Sequence, residues 1–211
     1  MIYLVNKKTK IENIKKKYPD AYIMDLTSKA RDPYVRFSPF YPHGHIPVPF
    51  SLGVYSQTVE GIWQGLKVFE SEGIDRSKFE IKNMEGIKRT IRTKGPIIGH
   101  QKGVEGNTIM GYLEARLEIY LPTYKFVLEH NLSEFIFKLK KAHEEKDLVF
   151  LDYDTNSIID SSKPLSHAFL VKSFLEDNYP NWDNYKVLDN LNINQAKINK
   201  TVNKKNQTTL F

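Results

Sequence analysis

Three polar side chains in the segment Ser56–Glu70 are spaced so that a helix would place them together. Glu60, Gln64 and Lys67 follow one another at intervals of four and three residues, and at about 100° per residue they share a narrow arc beside Trp63. A carboxylate, an amide and an ammonium group on one surface suit the polar wall of a ligand pocket. The alternative is an ordinary acid in the first turn of a helix, with Lys67 solvated.

The segment Ser28–Gln57, which precedes this helix, is rich in proline and aromatic residues. So much proline excludes a continuous helix or a central strand. We interpret the segment as a long ordered loop or an edge ribbon, and loops of this length inside compact domains tend to be functional. Its aromatic side chains could stack on a ligand beside the polar residues, and the candidates are Phe37, Phe40, Tyr41 and Tyr55.

Two glycines lie inside the same predicted helix, Gly61 and Gly65. Each costs about 1 kcal/mol relative to alanine in a helix interior. Their presence indicates that something approaches this backbone closely. Either another part of the protein or a ligand could do so.

The elements that must position these residues follow from hydrophobic spacing and from capping residues. We predict strands at Ile2–Val5, Ala21–Leu26 and Leu148–Tyr153. We predict helices at Ile11–Tyr18, Thr58–Phe69 with Thr58 as N-cap, Met84–Thr93, Asn107–Glu145 with a kink or end at Pro122, and Pro164–Glu176 behind Ser161 or Ser162. Gly95–Gly106 is predicted to be a loop.

Composition bounds the fold class and the compartment. A chain of 211 residues with 40% hydrophobic content can bury one sizeable core. We therefore predict an α+β, helix-rich single domain with a small sheet over residues 1–188. A basic, partly disordered tail is predicted over residues 189–211, because that segment is poor in hydrophobic residues.

The absence of cysteine excludes disulfides and thiolate-bound zinc. The apolar run at the amino terminus is too short for a signal peptide, and no run approaches the roughly 20 residues of a membrane span. These features predict a soluble, cytoplasmic protein with no membrane partner. The net charge of +6 suits a nucleic acid or a phosphate-bearing ligand, although solvated surface lysines would give the same balance.

Two motifs carry a resemblance to a known family. FSPFYP at Phe37–Pro42 is followed by TVEGIWQGLKVF at Thr58–Phe69. The pair resembles the NADAR family (NAD- and ADP-ribose-associated), whose members have an FSNF-type motif and then a helix of the form T/S-x-E-h-x-x-Q-A-x-K. Thr58, Glu60, Gln64 and Lys67 match that helix, and Gly65 stands where alanine is usual.

The second half of the chain departs from the family pattern. NADAR members usually show a D-x-x-W-G-x-G signature before the last helix, whereas Asp152–His167 contains no Trp-Gly pair. The equivalent aspartate is either Asp154 or Asp160. Lys163–His167 replaces the family's G-x-N-x-L-G segment, which makes His167 a candidate binding residue.

The resemblance implies N-glycosidic chemistry, either on a riboside or on ADP-ribose attached to guanine. Such a bond breaks through an oxocarbenium-like ribosyl centre, which needs a nearby carboxylate. By resemblance, Glu60 faces the developing cation and Asp154 or Asp160 orients the attacking water. The implied ligand contacts are Gln64 and Lys67 with a ribose hydroxyl or a phosphate, Arg36 with a diphosphate, Phe40 or Tyr41 with a stacked base, and Phe37, Trp63 and His167 as further binding residues.

Other patterns in the sequence carry less. His43 and His45 lack a third ligand at recognisable spacing, which favours loop histidines over a metal site. The run Leu148–Asn156 resembles the start of haloacid-dehalogenase phosphatases, but Asn156 replaces the expected threonine or valine and too little chain follows. Gly95–Gly106 lacks the P-loop pattern. We expect neither a metal nor a cofactor.

The last five residues, QTTLF, resemble the Q-L-x-L-F peptides that bind bacterial sliding clamps, with Thr208 in place of the usual leucine. Gln207, Leu210 and Phe211 are therefore candidate clamp-binding residues, and a chance apolar chain end is the alternative. In this second hypothesis the protein is a non-catalytic nucleotide- or nucleic-acid-binding protein that is recruited to a clamp.

Overall fold

The computed structural model describes residues 1–154 and 164–182. From Met1 to Tyr179 the described residues belong to one compact unit. Its helices and small sheets make it an α+β domain, which confirms the predicted fold class. The predicted boundary at residue 188, Asp160, and the clamp-binding candidates Gln207, Leu210 and Phe211 lie outside the described residues.

The strands are β1 (Ile2–Asn6), β2 (Tyr22–Asp25), β3 (Ile46–Pro47), β4 (Tyr55–Ser56), β5 (Lys67–Phe69), β6 (Ile97–Gln101), β7 (Ile109–Met110) and β8 (Leu148–Asp152). The helices are α1 (Ile11–Lys17), α2 (Val59–Gly65), α3 (Ile91–Lys94), α4 (Tyr112–Ala115), α5 (Leu121–Phe126), α6 (Ser133–Glu145) and α7 (His167–Leu175). Tyr34–Phe37 and Arg76–Glu80 are 3₁₀ turns, and Arg116–Tyr120 and Val127–Asn131 are π-helical turns.

Strand β8 lies between β1 and β2 in a parallel sheet. Ile14 of α1 packs on Val149 and Leu151 of β8, and α7 also packs against this strand. All five residues of β8 are buried, as expected for a strand with helices on both faces of its sheet. The predicted strand, helix and strand at the amino terminus and the predicted buried strand near Leu148 are confirmed.

The second three-stranded sheet corrects two predictions. It is antiparallel with the order β5, β6, β7, and it places Lys67 opposite His100. Strand β5 occupies the last part of the predicted helix Thr58–Phe69, and β6 lies within Gly95–Gly106, which was predicted to be a loop. Both errors have one cause, because β5 and β6 form by pairing with each other across a long stretch of chain.

Three predicted helix boundaries are also wrong. The predicted helix Met84–Thr93 is reduced to α3, and the predicted helix start at Asn107 is replaced by β7. Pro122 does not end the helical region, which continues from the preceding π-helical turn into α5. Helix α7 begins after Ser166, whose hydroxyl accepts a hydrogen bond from the N–H of Phe169 at 3.2 Å.

The close approach predicted at Gly61 and Gly65 is confirmed, and the 3₁₀ turn Arg76–Glu80 makes it. A β-carbon at Gly65 would lie 2.3 Å from the Phe79 ring, and one at Gly61 would lie 2.6 Å from the carbonyl oxygen of Lys78. Side chains cannot occupy these spaces without displacing the neighbouring segment. The two glycines therefore let α2 pack directly on this turn.

Replacement of Gly65 with alanine should lower the free energy of unfolding by about 1 to 2 kcal/mol. Overpacking typically costs about 1–3 kcal/mol, and the roughly 1 kcal/mol gained in helix propensity offsets only part of that cost. Urea unfolding measures the difference. The matched control is Gly73→Ala, because a β-carbon there meets no atom within 4 Å. Equal unfolding midpoints for the two variants would contradict the packing argument.

Candidate functional site

Helix α2 begins in contact with the segment Ser28–Gln57, which we call the aromatic loop. The Thr58 hydroxyl accepts a hydrogen bond from the N–H of Gly61 at 2.7 Å, which confirms Thr58 as the N-cap. The N–H of Glu60 donates to the carbonyl of Pro39 at 2.8 Å. The loop Phe37–Pro42 is therefore bonded to the first turn of α2, so the two motifs meet in space.

Glu60, Gln64 and Lys67 form a buried hydrogen-bonded network. Their exposed fractions are 8%, 5% and 7%. The Gln64 Nε2 donates to Glu60 Oε1 at 2.8 Å, and the Lys67 Nζ donates to Gln64 Oε1 at 3.0 Å. The alternative interpretation, a surface acid with a solvated lysine, is wrong because all three side chains are buried.

Arg89, which the sequence did not single out, holds this network in place. Its N–H donates to Gln64 Oε1 at 3.0 Å. Its guanidinium group donates to the carbonyl oxygens of Gln64, Lys67 and Gly73 at 3.2, 2.6 and 2.6 Å. Because Arg89 and Lys67 both donate to Gln64 Oε1, the amide must present its Nε2 to Glu60.

Burial shifts the pKa of both charged ends of the network. Burial raises the pKa of the Glu60 carboxyl, although the amide of Gln64 and the charges of Lys67 and Lys88 oppose the change. Burial likewise lowers the pKa of Lys67; Glu60 opposes this, and Arg89 and Lys88 reinforce it. A carboxyl and an amine whose charged forms are both disfavoured are typical of functional sites.

Trp63 is partly exposed beside this network and contacts three aromatic rings. The His100 ring lies 3.8 Å from it at a shallow tilt, and the rings of Tyr112 and Tyr120 lie edge-on at 5.8 and 5.6 Å. Both nitrogens of the buried His100 ring lack a well-formed hydrogen bond within the described residues. Burial and the nearby Lys67 lower the His100 pKa to about 3, although the main chain of Trp63 slightly favours the charged form. His100 is therefore neutral and supports one face of the indole.

The second carboxylate of the site is Asp152, the last residue of β8, which is 5% exposed. Its Oδ2 accepts hydrogen bonds from the Ser166 hydroxyl at 2.8 Å and the Ala168 N–H at 3.4 Å. Sequence reasoning chose Asp154 or Asp160 instead. Asp154 is partly exposed at the end of a described segment, and Asp160 lies outside the described residues.

Tyr120 connects the two carboxylates electrostatically. Burial raises the pKa of its phenol well above the ordinary value, and the negative charges of Glu60 and Asp152 raise it further. The charges of Glu60 and Asp152 are thus both within electrostatic range of Tyr120.

Phe40 and Phe37 differ in their relation to the site. The Lys88 ammonium lies 5.4 Å from the centre of the partly exposed Phe40 ring, and the same lysine acts on Glu60. Phe40 therefore lies near the network. Phe37 is 1% exposed in the core, and its carbonyl accepts the Tyr124 hydroxyl at 2.6 Å. The prediction that Phe37 contacts a ligand is wrong, because its ring has no free face.

Arg36 and Tyr41 have partners within the aromatic loop. The Arg36 guanidinium donates to both carboxylate oxygens of Asp32 at 2.7 and 3.1 Å. The Tyr41 ring packs at 4.8 Å against His43, whose Nε2 donates to the Arg36 carbonyl at 2.9 Å. A diphosphate at Arg36 would have to compete with Asp32, so the predicted role of Arg36 requires a rearrangement of this ion pair.

His167 has a structural partner at each ring nitrogen. Its Nε2 donates to the carbonyl of Leu26, and its Nδ1 lies 3.5 Å from Asp152 Oδ2. The imidazole therefore ties the start of α7 to the ends of β2 and β8. The ligand-binding role of His167 stays a prediction, and its Nε2 is already bonded to the main chain.

Comparison with known proteins identifies the family. The model of a family described as being of unknown function, DUF6939, matches residues 6–171. The chain therefore belongs to this family, and the match includes Glu60, Asp152 and Tyr120. No curated protein and no solved structure matches the chain significantly.

Residues 1–154 and 164–182 contain neither a candidate membrane helix nor a candidate metal site. No helix there is long and apolar enough to cross a membrane. No three side chains of histidine, aspartate or glutamate lie close enough together in that part of the chain to hold a metal ion.

Replacement of Glu60 with glutamine should stabilise the protein at neutral pH by about 1 kcal/mol. Glutamine can still accept the hydrogen bond from Gln64, and it carries no buried charge. Because folding raises the Glu60 pKa, the wild-type protein loses stability relative to the variant as the pH rises above about 4.5, the ordinary glutamate value. The gain should therefore be absent below that pH.

Denaturant unfolding at neutral and acidic pH measures this difference. The control is Glu134→Gln, because Glu134 is an exposed carboxylate that pairs with Lys138 and has a lowered pKa. This control should show no gain in stability at neutral pH. A Glu60→Gln protein that is less stable than wild type at neutral pH would contradict the desolvation argument.

Proposed function

We propose that this member of DUF6939 is an N-glycosidase that hydrolyses the N-glycosidic bond of an ADP-ribosyl or ribose-phosphate compound, including ADP-ribose attached to a nucleobase in DNA. One observation carries the proposal: the buried Glu60 carboxylate is hydrogen-bonded to Gln64, which also binds Lys67, on the helix that carries the partly exposed ring of Trp63. The resemblance of Phe37–Pro42 and Thr58–Phe69 to the NADAR motifs supports the same chemistry.

Glu60 is suited to stabilise a ribosyl cation. Burial disfavours its anion, as the raised pKa shows, so a positive charge that forms nearby restores the solvation that the carboxylate has lost. The attraction is strong because the surroundings have a low effective dielectric constant. It develops only as the glycosidic bond breaks, and an interaction of that kind accelerates the reaction.

The other groups of the site have complementary roles. Lys67, Lys88 and Arg89 are cations at or near the network, and a phosphate-bearing ligand matches their charge. Asp152 already accepts hydrogen bonds from Ser166 and Ala168, which hold its carboxylate in place, so it is suited to orient an attacking water. Trp63 offers a rigid aromatic surface to a base.

The full chain should release free ADP-ribose from NAD, from ADP-ribosylated guanosine or from ADP-ribosylated DNA. Glu60→Gln should lower the turnover by about 100-fold or more, a typical effect of removing one electrostatic group. Chromatography of the products measures both. Glu134→Gln is the matched control and should retain wild-type turnover, since Glu134 is exposed on α6. Unchanged turnover in Glu60→Gln would contradict the proposal.

The pH dependence tests the ionisation state of Glu60. Because the anion is the active form, kcat/KM should rise with pH on the acid side, and its midpoint should lie above about 4.5, the ordinary glutamate value. Initial rates over a pH series measure the midpoint. A rate that falls over the same range would mean that Glu60 must be protonated, which contradicts its role beside the cation.

The second hypothesis is a non-catalytic nucleotide- or nucleic-acid-binding protein. The cations Lys67, Lys88 and Arg89 favour a phosphate-bearing ligand whether or not a bond is broken. Calorimetric titration with ADP-ribose distinguishes the two hypotheses. Tight binding without release of ADP-ribose from any substrate would favour the binding protein.

A further inference from the structure

Three tyrosines lie within α5, directly before it or against it, and they differ in whether the hydroxyl has a hydrogen-bond partner. Burial raises the phenol pKa of Tyr120, Tyr124 and Tyr179 well above the ordinary value. Tyr124 donates its hydroxyl to the carbonyl of Phe37 at 2.6 Å, and Tyr179 donates to the carbonyl of Leu121 at 2.9 Å. Tyr120 alone of the three forms no hydroxyl hydrogen bond to any described residue. The Tyr120 hydroxyl is not among the fully buried side-chain atoms that lack a partner, so solvent or a ligand can reach it.

The position of Tyr120 is fixed by its neighbours. It is the last residue of the π-helical turn Arg116–Tyr120, and such turns are frequent at functional sites. Its ring is parallel to that of Tyr124 at 6.4 Å and edge-on to that of Trp63 at 5.6 Å. The side chain is 9% exposed. Stacking thus holds the ring, while no hydrogen bond to the described residues uses the hydroxyl.

The charges near Tyr120 determine what its hydroxyl can do. Glu60 and Asp152 both disfavour the phenolate, and together with burial they outweigh the opposing charge of Arg116. The group is therefore a neutral phenol at neutral pH, which can donate a hydrogen bond.

We propose that Tyr120 is a catalytic hydrogen-bond donor, whose hydroxyl binds the departing base of the N-glycoside beside Trp63 of α2. The inference rests on the proposed N-glycosidase function. It adds a substrate class, namely N-glycosides whose base leaves with negative charge, as opposed to those whose base is already cationic.

The chemistry of the bond explains this preference. When the bond from ribose C1′ to the base nitrogen breaks, its electron pair goes to the base. Water supplies the hydroxyl at C1′, and the proton that it loses ends on the base nitrogen. A neutral base therefore becomes negative as the bond breaks, and a donor stabilises it. Nicotinamide leaves NAD as a neutral molecule, because its ring nitrogen begins with a positive charge, so it needs no donor.

The test compares Tyr120→Phe with wild type on ADP-ribosylated guanosine and on NAD. On ADP-ribosylated guanosine, kcat should fall by about 100-fold, with KM little changed, because the hydrogen bond strengthens in the transition state. On NAD, kcat should stay within a few-fold of wild type. The free energy of unfolding should not fall, since the hydroxyl has no described hydrogen bond to lose.

The matched control is Tyr179→Phe, which removes a phenol hydroxyl of the same region. It should retain wild-type kcat and lose about 1 kcal/mol of stability, because its hydrogen bond to Leu121 disappears. The opposite pattern, with lower stability and normal kcat for Tyr120→Phe, would overturn the inference. Equal losses of kcat on both substrates would overturn it as well.

The outcomes separate this inference from the function on which it rests. Wild-type protein that releases ADP-ribose from no substrate would overturn both. Wild-type turnover of ADP-ribosylated guanosine with unchanged kcat in Tyr120→Phe would overturn only the role of Tyr120. Wild type could act on ADP-ribosylated guanosine and not on NAD. In that case a fall in kcat for Tyr120→Phe, with unchanged KM and unchanged stability, would support the inference. A rise in KM alone would overturn it.

Discussion

The hydrogen bond from the Gln64 amide to the Glu60 carboxylate joins the two ends of the site, at 2.8 Å and almost wholly out of water. The neighbouring donors determine the direction of this hydrogen bond. Two donors, the Lys67 ammonium and the Arg89 N–H, meet the other end of the amide, so Gln64 can offer Glu60 only its N–H group. A carboxylate that accepts this bond is held in one orientation, so the directions of its other lone pairs are fixed as well.

This constraint accounts for much of the surrounding structure. Gln64 lies on α2 one turn after Glu60, whereas Lys67 lies at the start of β5, after the helix ends at Gly65. Arg89 donates to the carbonyl oxygens of Gln64 and Lys67 on the two sides of this transition, so it ties the end of the helix to the strand. The glycines of α2 allow the turn Arg76–Glu80 to pack close enough to support the segment that follows.

The sequence could predict the parts of this arrangement that depend on local signals. Thr58 as N-cap, the grouping of Glu60, Gln64 and Lys67, and the strands at β1 and β8 all follow from spacing and from side-chain type. The grouping of the three side chains is confirmed, but only Glu60 and Gln64 share the helix. Lys67 reaches Gln64 from β5. Leu66–Phe69 is compatible with both helix and strand, and only its pairing with β6 decides between them.

The position of the second carboxylate depends on strand register. Residues Leu148–Leu151 of β8 are hydrophobic and show no alternation, so the sequence does not reveal which side chains of the strand face α7. Asp152 faces α7 because of its register, and Asp154 was chosen because it resembled a family position. Tyr120 and Arg89 carried no sequence signal at all. Their roles arise from contacts with segments far away in the chain, and one sequence records no such contacts.

The amide between Glu60 and Lys67 also explains how the site can hold two opposite charges without losing their reactivity. In direct contact at about 4 Å, such charges would attract each other by about 4 kcal/mol at an effective dielectric constant of about 20, and doubling the distance halves that energy. A direct ion pair would stabilise the Glu60 anion and draw its pKa down. With Gln64 interposed, burial outweighs the attraction of Lys67 and the pKa stays raised. Lys67 thus stabilises the buried Glu60 anion only in part, and a ribosyl cation nearby would stabilise it further.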